Sequence, residues 1–310
     1  MISGGTAGGY RLRARLSAFS ALLLMCLGAW IMLYPYLYAI GSSFKTRAEF
    51  TSDKQSLIPS RLRPGKLADH YLLGKRDSAY ARVMRDWPPL RNYKEAILYG
   101  GIDRFLCNSF LYALTTTLGC LFFTVLAAYA FARMRFPGRE FMFGMLLTTM
   151  MIPSVVTLIP QFLVIRRLGL VDHPLGVILP SFVSAFGIFL LRQFFLNIPA
   201  ELENAALLDG CSRWGILWRI VVPLSKPALI TLGLFTFMGA WNAFEWPLVV
   251  LSNENYYPLT VGLALFRDQN SQDWPRVLAA GVMGSLPLIL LFYLAQRFLT
   301  EGISLSGMKS

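Results

Sequence analysis

The polar residues with the most informative spacing form the stretch ELENAALLDGCSRWGILWRIVVPL, residues 201–224, which separates two long apolar runs. Pro199 can start a helix, and Glu203 suits the partial positive charge at its amino end. Gly210 then favours a stop, and Ser212 can cap a second helix. The stretch therefore predicts a short helix, a glycine bend and a re-entering helix. A plain amphipathic loop at the membrane surface would have a similar composition.

The other reactive residues do not indicate an enzyme. His70 and His173 are the two histidines, and neither lies in a zinc-protease pattern. The tail GISLSGMKS, residues 302–310, is a poor phosphate loop, because Met308 interrupts the required Gly-Lys pair and a phosphate cradle must lead into a helix. We therefore expect no catalytic residues, no ATPase site, no metal and no cofactor in this chain.

One carboxylate stands out because it falls inside an apolar run. Glu245 is costly in hydrocarbon unless it faces a cavity, a partner or the interface. It can reach water near the outer end of its span. Alternatively, Trp241, Asn242, Glu245 and Trp246 surround a passage in which indole faces stack on sugar rings and the polar groups bond hydroxyls. Weaker candidates, for which hydrogen bonds between helices are an equal explanation, are Asn108, Gln161, Ser181 and Ser184.

The elements that must position these residues are membrane helices. The 310 residues are 55% hydrophobic and only 15% charged, and several uncharged runs are long enough to cross a bilayer. A charge at the centre of a span costs about 2.5 to 3.5 kcal/mol, so its scarcity in these runs decides the assignment. The 4 cysteines are scattered, which indicates apolar filling rather than a disulfide framework or a metal cluster.

The predicted fold class is an all-α integral membrane protein with six transmembrane helices. They run from about Leu16 to Phe44, Leu106 to Phe131, Phe141 to Ile165, Pro174 to Leu191, Pro227 to Leu251 and Val277 to Gln296. The first span is too long for a signal peptide and lacks a cleavage site, so we expect an uncleaved anchor. Kinks are expected at the prolines within the later spans, which are Pro153, Pro160, Pro180, Pro247 and Pro287.

Basic residues predict the orientation and hence the domain limits. With six alternating helices, the short arginine-rich segments before span one, after span two and after span four share one side, which we expect to be cytoplasmic. The loop from Ser42 to Asp103 is also basic, but loops beyond about 60 residues cross membranes largely regardless of charge. The resulting division is a cytoplasmic tail 1–15, a first helix 16–44, an extracytoplasmic loop 45–104, a core 105–300 containing a cytoplasmic loop 198–224, and a cytoplasmic tail 301–310.

The order of residues in the 201–224 stretch is more specific than its composition. It resembles the "EAA" loop of ABC-importer permeases, whose spacing is matched by Glu203, Ala205, Ala206, Asp209, Gly210, Ile220 and Pro223. The resemblance implies that these residues and Asn204 couple the chain to an ATPase. Blocks such as NSFLYALTTTLGCLFFTVLAAYAFARMRFPGRE and RFLTEGISLSGMKS extend the likeness over about Asn108 to Ser310, to the carbohydrate branch that imports maltose-like sugars. Asn204 stands where the family has glutamate, Val222 stands for leucine, and the 45–104 loop resembles an insertion.

The resemblance implies a type I, maltose-permease-like fold and a set of partners. Such permeases receive energy from two cytoplasmic ATPase subunits, which bind ATP and Mg²⁺ and which seat a coupling helix of the permease in a groove. A second, similar permease, an extracytoplasmic solute-binding protein and a carbohydrate substrate are also implied. We therefore expect a heterodimeric pathway in the inner (cytoplasmic) membrane, in contact with lipid and not with nucleic acid.

Two other classes remain as alternatives to this prediction. A stand-alone ion-coupled secondary transporter would need its own coupling-ion residues and ideally an internal repeat, and neither is evident, since Glu245 has no obvious intramembrane partner. A membrane enzyme would need a nucleophile with a base, and no such set stands out.

Overall fold

A computed structural model describes residues 7–52, 56–59, 90–269 and 273–307, and all regular structure within these ranges is helical. The helices are α1 (Ala7–Ser43), α2 (Arg47–Ser52), α3 (Arg91–Gly100), α4 (Ile102–Arg133), α5 (Arg139–Thr149), α6 (Ser154–Arg167), α7 (Pro174–Ile178), α8 (Ala185–Leu196), α9 (Ala200–Leu208), α10 (Arg213–Ile216), α11 (Val222–Leu224), α12 (Lys226–Trp241), α13 (Glu245–Val250), α14 (Leu259–Gln269) and α15 (Trp274–Gly307). Two 3₁₀ turns cover Leu179–Phe182 and Glu254–Tyr256, and a π-helical segment, Leu217–Val221, joins α10 to α11.

The predicted all-α membrane fold is confirmed. In the described part of the chain, 4 stretches are long and apolar enough to cross a membrane, namely Ser17–Ser43, Ile102–Arg133, Pro174–Leu196 and Trp274–Gln296. Two further pairs of helices meet the same criteria together but are sharply bent, and counting each pair as one span brings the total to 6. The predicted number of spans is therefore reached only with these two broken elements.

The predicted third span, Phe141–Ile165, is not one continuous helix. α5 and α6 are bent by 105° where they meet. Pro153 has an extended backbone and directly precedes α6. A proline disfavours helix for the residue before it and supplies no backbone donor, so the helix cannot easily continue from α5 through this position. The kink expected at Pro153 is thus a full break, whereas Pro160 stays inside α6.

The fourth and fifth predicted spans also need correction. The fourth, Pro174–Leu191, is divided into α7, a 3₁₀ turn that contains Pro180, and α8, which continues to Leu196. The fifth, Pro227–Leu251, ends at Trp241, and α13 begins separately at Glu245. Its prediction as one helix was wrong because continuous hydrophobicity does not show where a helix stops. Both breaks border the central cavity described below.

The larger of two compact units comprises residues 100–268 and 284–307. In it α4 packs along both α8 and α12. The close approach depends on Gly187 of α8, because a Cβ atom there would lie only 3.0 Å from Thr124 of α4 and 3.1 Å from Leu232 of α12. The main apolar core contains residues from these three helices together with the 216–221 segment, including Ala128, Phe195, Leu217 and Leu232.

The other unit comprises the described residues up to Tyr99 together with 273–283. Its polar contacts hold α3 to the end of α1, where the Asn92 amide donates hydrogen bonds to the carbonyls of Ser43 at 2.6 Å and Lys45 at 2.9 Å. Glu95 forms ion pairs with Arg91 at 2.6 Å and Arg276 at 2.5 Å. Most of the predicted insertion, residues 60–89, lies outside the described residues, as do His70 and the outermost parts of both predicted tails.

Candidate functional site

The helix, bend and second helix predicted for residues 201–224 are confirmed. α9 follows Pro199 and ends at Leu208, Asp209 caps it, and Gly210 then has a φ of +78°. Residues other than glycine rarely adopt this left-handed conformation, so the glycine gives the chain its turn at low cost. The Ser212 hydroxyl then accepts a hydrogen bond from the Gly215 amide at 3.2 Å and caps α10, as the sequence predicted.

α9 offers most of its surface to the outside of its unit. Glu203 is buried and Ala206 is half-buried against the main core, while the other residues of α9 are exposed. Leu208 is 90% exposed, and Leu202 and Leu207 are exposed as well. A short helix that presents three leucines and small residues to its surroundings is suited to contact with another protein surface.

In contrast to α9, the segment from Ile216 onward is packed into the main core. Ile216, Leu217 and Val221 are almost completely buried in the main core, and Ile220 packs against it. Pro223 lies in α11, which continues directly from the π-helical segment. Outside the core, the Trp218 ring stacks on Phe122 of α4 with centroids 6.1 Å apart. This arm, residues 213–224, is therefore attached to α4 and α8 along most of its length.

Arg133 joins α9 to the ends of two membrane helices. Its Nε lies 2.8 Å from Oε1 of Glu203, and the two side chains are only 13% and 9% exposed. Its Nη2 also donates a hydrogen bond to the Phe195 carbonyl at 2.6 Å and another to the Ile198 carbonyl. Carbonyls at the end of a helix lack partners within the helix, so one guanidinium donates to the α8 terminus and also balances the charge of the buried carboxylate. The sequence indicated Glu203 but not this partner.

A second arginine links α8 to the neighbouring ends of α4 and α5. Arg192 of α8 lies 3.4 Å from the carboxylate of Glu140 in α5, and its Nε donates to the Phe131 carbonyl at 3.3 Å. Its guanidinium also lies 4.1 Å from the centroid of the Phe143 ring, within range of a cation–π contact. Arg133 and Arg192, which belong to the basic segments used to predict the orientation, thus also have specific structural partners.

Asn204 lines a basic cleft between α9 and the loop after α4. The cleft has a volume of about 710 Å³ and contains Arg133, Arg135, Arg139 and Arg213 beside the single carboxylate of Glu203. Since that carboxylate is paired with Arg133, the side of α9 that lines the cleft offers a neutral amide rather than a free negative charge.

A larger cavity of about 900 Å³ lies among α4, α6, α8, α12 and α13. Its volume falls within the usual range of about 300 to 1,000 Å³ for small-molecule sites. Aromatic faces come from Phe235, Phe244 and Trp246. Polar groups are supplied by hydroxyls, amides and one carboxylate, including those of Thr116, Thr157, Gln161, Ser181, Ser184, Thr236, Asn242 and Glu245.

Three of the four residues predicted around a passage line this cavity, and Trp241 does not. Trp241 is 3% exposed, its Nε1 donates a hydrogen bond to the Gly284 carbonyl at 3.3 Å, and its ring stacks on Phe237. Glu245 is exposed in the first turn of α13 instead of lying within a continuous span. The helix break after α12 therefore separates a packing residue from the three that face the cavity.

The weaker candidates divide between the cavity and its surroundings. Gln161, Ser181 and Ser184 line the cavity, and Ser184 also caps α8 by accepting a hydrogen bond from the Gly187 amide at 3.0 Å. Asn108 instead donates its amide to two backbone carbonyls of the 255–257 turn, at 2.8 and 3.0 Å. This contact favours the structural interpretation of Asn108.

The sequence did not reveal how the loop before α14 is held. The Tyr112 hydroxyl donates to the Tyr256 carbonyl at 2.8 Å, and Ser109 accepts from the Leu259 amide at 2.7 Å. From the other side, the Asp172 carboxylate accepts hydrogen bonds from the amides of Ser252 at 2.9 Å and Asn253 at 2.8 Å. The amides of Asn253 and Ser252 lower the pKa of Asp172, because they stabilise its ionised form.

Comparison with known proteins identifies residues 109–304 with a family described as binding-protein-dependent transport system inner membrane component. The sulfoquinovosyl glycerol transport system permease protein of Agrobacterium fabrum is 32% identical over 94% of this chain and 96% of its own length. The arabinooligosaccharides transport system permease protein of Bacillus subtilis is 35% identical over 65% of this chain and 72% of its own. A chain in the crystal structure of a bacterial ABC transporter involved in the import of the acidic polysaccharide alginate matches with a TM-score of 0.73 and 27% identity, over 91% of this chain and 96% of that one.

Proposed function

The chain belongs to the family of binding-protein-dependent transport system inner membrane components, and we propose that it is one of two permease subunits of an ATP-driven carbohydrate importer. The observation that carries the proposal is the contrast within residues 200–224. α9 is exposed, while the arm that follows it is built into the core of the membrane domain. Such an arrangement would let a partner protein that binds α9 displace it and, through the arm, move the membrane helices packed against the arm.

In this proposal α9 is the coupling helix and sits in a groove on one of two cytoplasmic ATPase subunits. Leu202, Leu207 and Leu208 form its apolar contact, while Ala205 lets the two surfaces approach closely. The ATPases bind ATP and Mg²⁺, and this chain contributes no nucleotide site. Both chain termini and α9 would face the cytoplasm, as the positive-inside rule predicts.

The proposed movement depends on the arm being stiff and well attached. Protein interiors are close-packed, so a displacement of α9 is passed to α4 and α8 rather than absorbed. The Arg133–Glu203 pair supports this connection because it links the first turn of α9 to the ends of both helices. ATP can shift the balance between inward-open and outward-open states only if α9 binds the two ATPase conformations with different affinities.

We propose that the central cavity is the part of the translocation pathway that this subunit forms. Hydroxyl and amide groups can bond sugar hydroxyls, and the Trp246 ring can stack on the apolar face of a sugar. Asn242 and Glu245 would contact the ligand, whereas Trp241 would act indirectly by holding α12 to α15. A second, similar permease would provide the opposite wall, and an external binding protein, which the family description implies, would deliver the ligand.

Crosslinking from α9 tests the proposal directly. Cysteine in place of Leu208 should form a crosslink to a nucleotide-binding subunit in intact membranes. Leu290→Cys, an exposed site on α15, is the matched control and should react with lipid-soluble reagents without reaching that subunit. Equal crosslinking from both sites, or none from Leu208→Cys, would contradict the proposed docking.

Solute uptake by vesicles that contain this chain alone would instead support the secondary-transporter alternative. Such uptake would need no ATP-binding subunit and would respond to an ion gradient. Dependence on the ATPase partner distinguishes the two classes.

A further inference from the structure

The central cavity contains one charged side chain. Among the described residues that line it, Glu245 is the single aspartate, glutamate, lysine, arginine or histidine. The other polar residues of the wall carry hydroxyl, amide, indole or thiol groups. The part of the wall that this chain provides therefore has a net negative charge from a single side chain.

No described residue neutralises this carboxylate through a hydrogen bond or an ion pair. Glu245 is exposed to the cavity in the first turn of α13. The nearby donors are directed to backbone carbonyls instead: Asn242 donates to the Met238 carbonyl at 2.9 Å, and Trp246 donates to the Gly176 carbonyl at 3.2 Å. Both acceptor oxygens of Glu245 are therefore available to a ligand.

An ionised carboxylate can only accept hydrogen bonds, so it suits the hydroxyl donors of a sugar and offers nothing to a carboxylate, phosphate or sulfonate. Apolar residues in the same wall, such as Leu158, Val177 and Leu232, lower the local dielectric constant, which strengthens the field of a charge inside the cavity. An anion that passes Glu245 is thus repelled, while a neutral polyol gains two acceptors.

We propose that Glu245 is a charge-selecting residue, which makes this chain's wall of the pathway accept neutral, hydroxyl-rich ligands and disfavour anionic ones. The inference rests on the proposed function, since the cavity must be the passage. Family membership leaves the point undecided, because the names of similar proteins include arabinooligosaccharides as well as the anionic sn-glycerol-3-phosphate and an acidic polysaccharide. Glu245 supplies the missing criterion.

Charged thiol reagents measure this selection without knowledge of the natural ligand. Ser181 lines the same cavity and is exposed, so Ser181→Cys serves as a reporter after the 4 native cysteines have been replaced. In cells producing the assembled transporter, aminoethyl and sulfonatoethyl methanethiosulfonate probe the site as a cation and an anion. In both reactions the reporter thiolate forms a mixed disulfide and methanesulfinate leaves.

The expected result is a preference for the cationic reagent that Glu245→Gln reduces about fivefold, measured as the ratio of the two reaction rates. Glu245→Asp should keep the preference and Glu245→Lys should reverse it. Glu254→Gln, which removes an exposed carboxylate that does not line the cavity, is the matched control and should leave the ratio unchanged.

The possible outcomes distinguish charge selection by Glu245 from the more general proposal that the cavity is a passage. A rate ratio that is the same with Glu245 and with Glu245→Gln would overturn charge selection while leaving the passage intact. If neither reagent reacts with Ser181→Cys, water-borne solutes do not enter the cavity, and both the passage and the selection are wrong.

Discussion

The Nε atom of Arg133 at the end of α4 lies 2.8 Å from the carboxylate of Glu203 in the first turn of α9. Because the same guanidinium also satisfies two carbonyls at the end of α8, this one side chain is shared by three helices. The pair is more than nine-tenths shielded on the Glu203 side, so water does not readily replace either partner. We regard it as the joint between the exposed helix and the membrane domain.

Replacing Arg133 with methionine should weaken this joint. The change leaves a buried carboxylate without a counter-ion and removes the guanidinium donor from the Phe195 and Ile198 carbonyls. Breaking a buried ion pair in this way typically costs about 3 to 5 kcal/mol. We expect a lower midpoint of thermal unfolding in detergent and less transport per ATP hydrolysed.

Arg135→Met is the matched control, because Arg135 is exposed and lines the same cleft without a described ion pair. Glu203→Gln in the Arg133→Met background should recover part of the lost stability, since it removes the unpaired charge. Equal unfolding midpoints for Arg133→Met and Arg135→Met would contradict a structural role for the pair.

Replacing Gly210 with valine should uncouple ATP hydrolysis from transport while the protein still inserts. A Cβ atom at this position would have no heavy atom of another residue within 4 Å beyond its chain neighbours, so the cost comes from the positive φ of 78° rather than from a clash. Strain of this kind costs about 1 to 3 kcal/mol and would be relieved by reorienting α9.

The ratio of ATP hydrolysis to solute uptake in reconstituted vesicles measures this effect. Asparagine adopts positive φ more readily than other non-glycine residues, so Gly210→Asn is the matched control and should keep most of the coupling. If Gly210→Val transports solute with the same ratio of ATP hydrolysis to uptake as the parent protein, the bend at Gly210 is not needed for coupling.

Acidification should loosen α3 through Glu95. Burial alone raises the pKa of this carboxyl, but hydrogen bonds and charge from Arg91 and Arg276 outweigh it, so the net pKa is below the ordinary value of 4.5. A lowered pKa in the folded state stabilises the fold above the unfolded value and loses this contribution as the pH falls through the folded pKa.

We therefore expect weaker protection against hydrogen exchange in residues 91–99 below about pH 4.5 than at pH 7, once the measured rates are corrected for the pH dependence of intrinsic amide exchange. Glu95→Gln should exchange faster at pH 7 and lose the part of the acid response that this carboxyl causes. An identical pH response in the variant and the parent protein would assign the effect to other groups.

Trp241 and Glu245 should both affect uptake, by different routes. Trp241→Ala removes a buried ring, and such truncations cost about 3 to 5 kcal/mol, so uptake should fall together with the unfolding midpoint. Glu245→Gln changes an exposed cavity residue and should alter uptake with little change in stability. Thermal unfolding beside initial uptake rates distinguishes the two, and wild-type uptake by both variants would remove them from the pathway.

The sequence was sufficient where the deciding forces are local. Pro199, Gly210 and Ser212 predicted the limits of α9 and α10 correctly, because helix starts, left-handed bends and caps depend on a few neighbouring residues. The all-α membrane class was equally accessible, since the cost of burying charge in lipid depends on composition within a window of about 20 residues.

The tertiary structure decided what depends on neighbours distant in the chain. Hydropathy could not show that α5 and α6 turn by 105° or that α12 stops at Trp241, because either arrangement keeps the same residues in an apolar environment. It could not separate the buried Trp241 from the cavity-lining Glu245, or pair Glu203 with Arg133, which belongs to a distant part of the sequence. A side chain's partners are set by which helix faces pack together, and that packing minimises the free energy of the whole chain rather than of any one segment.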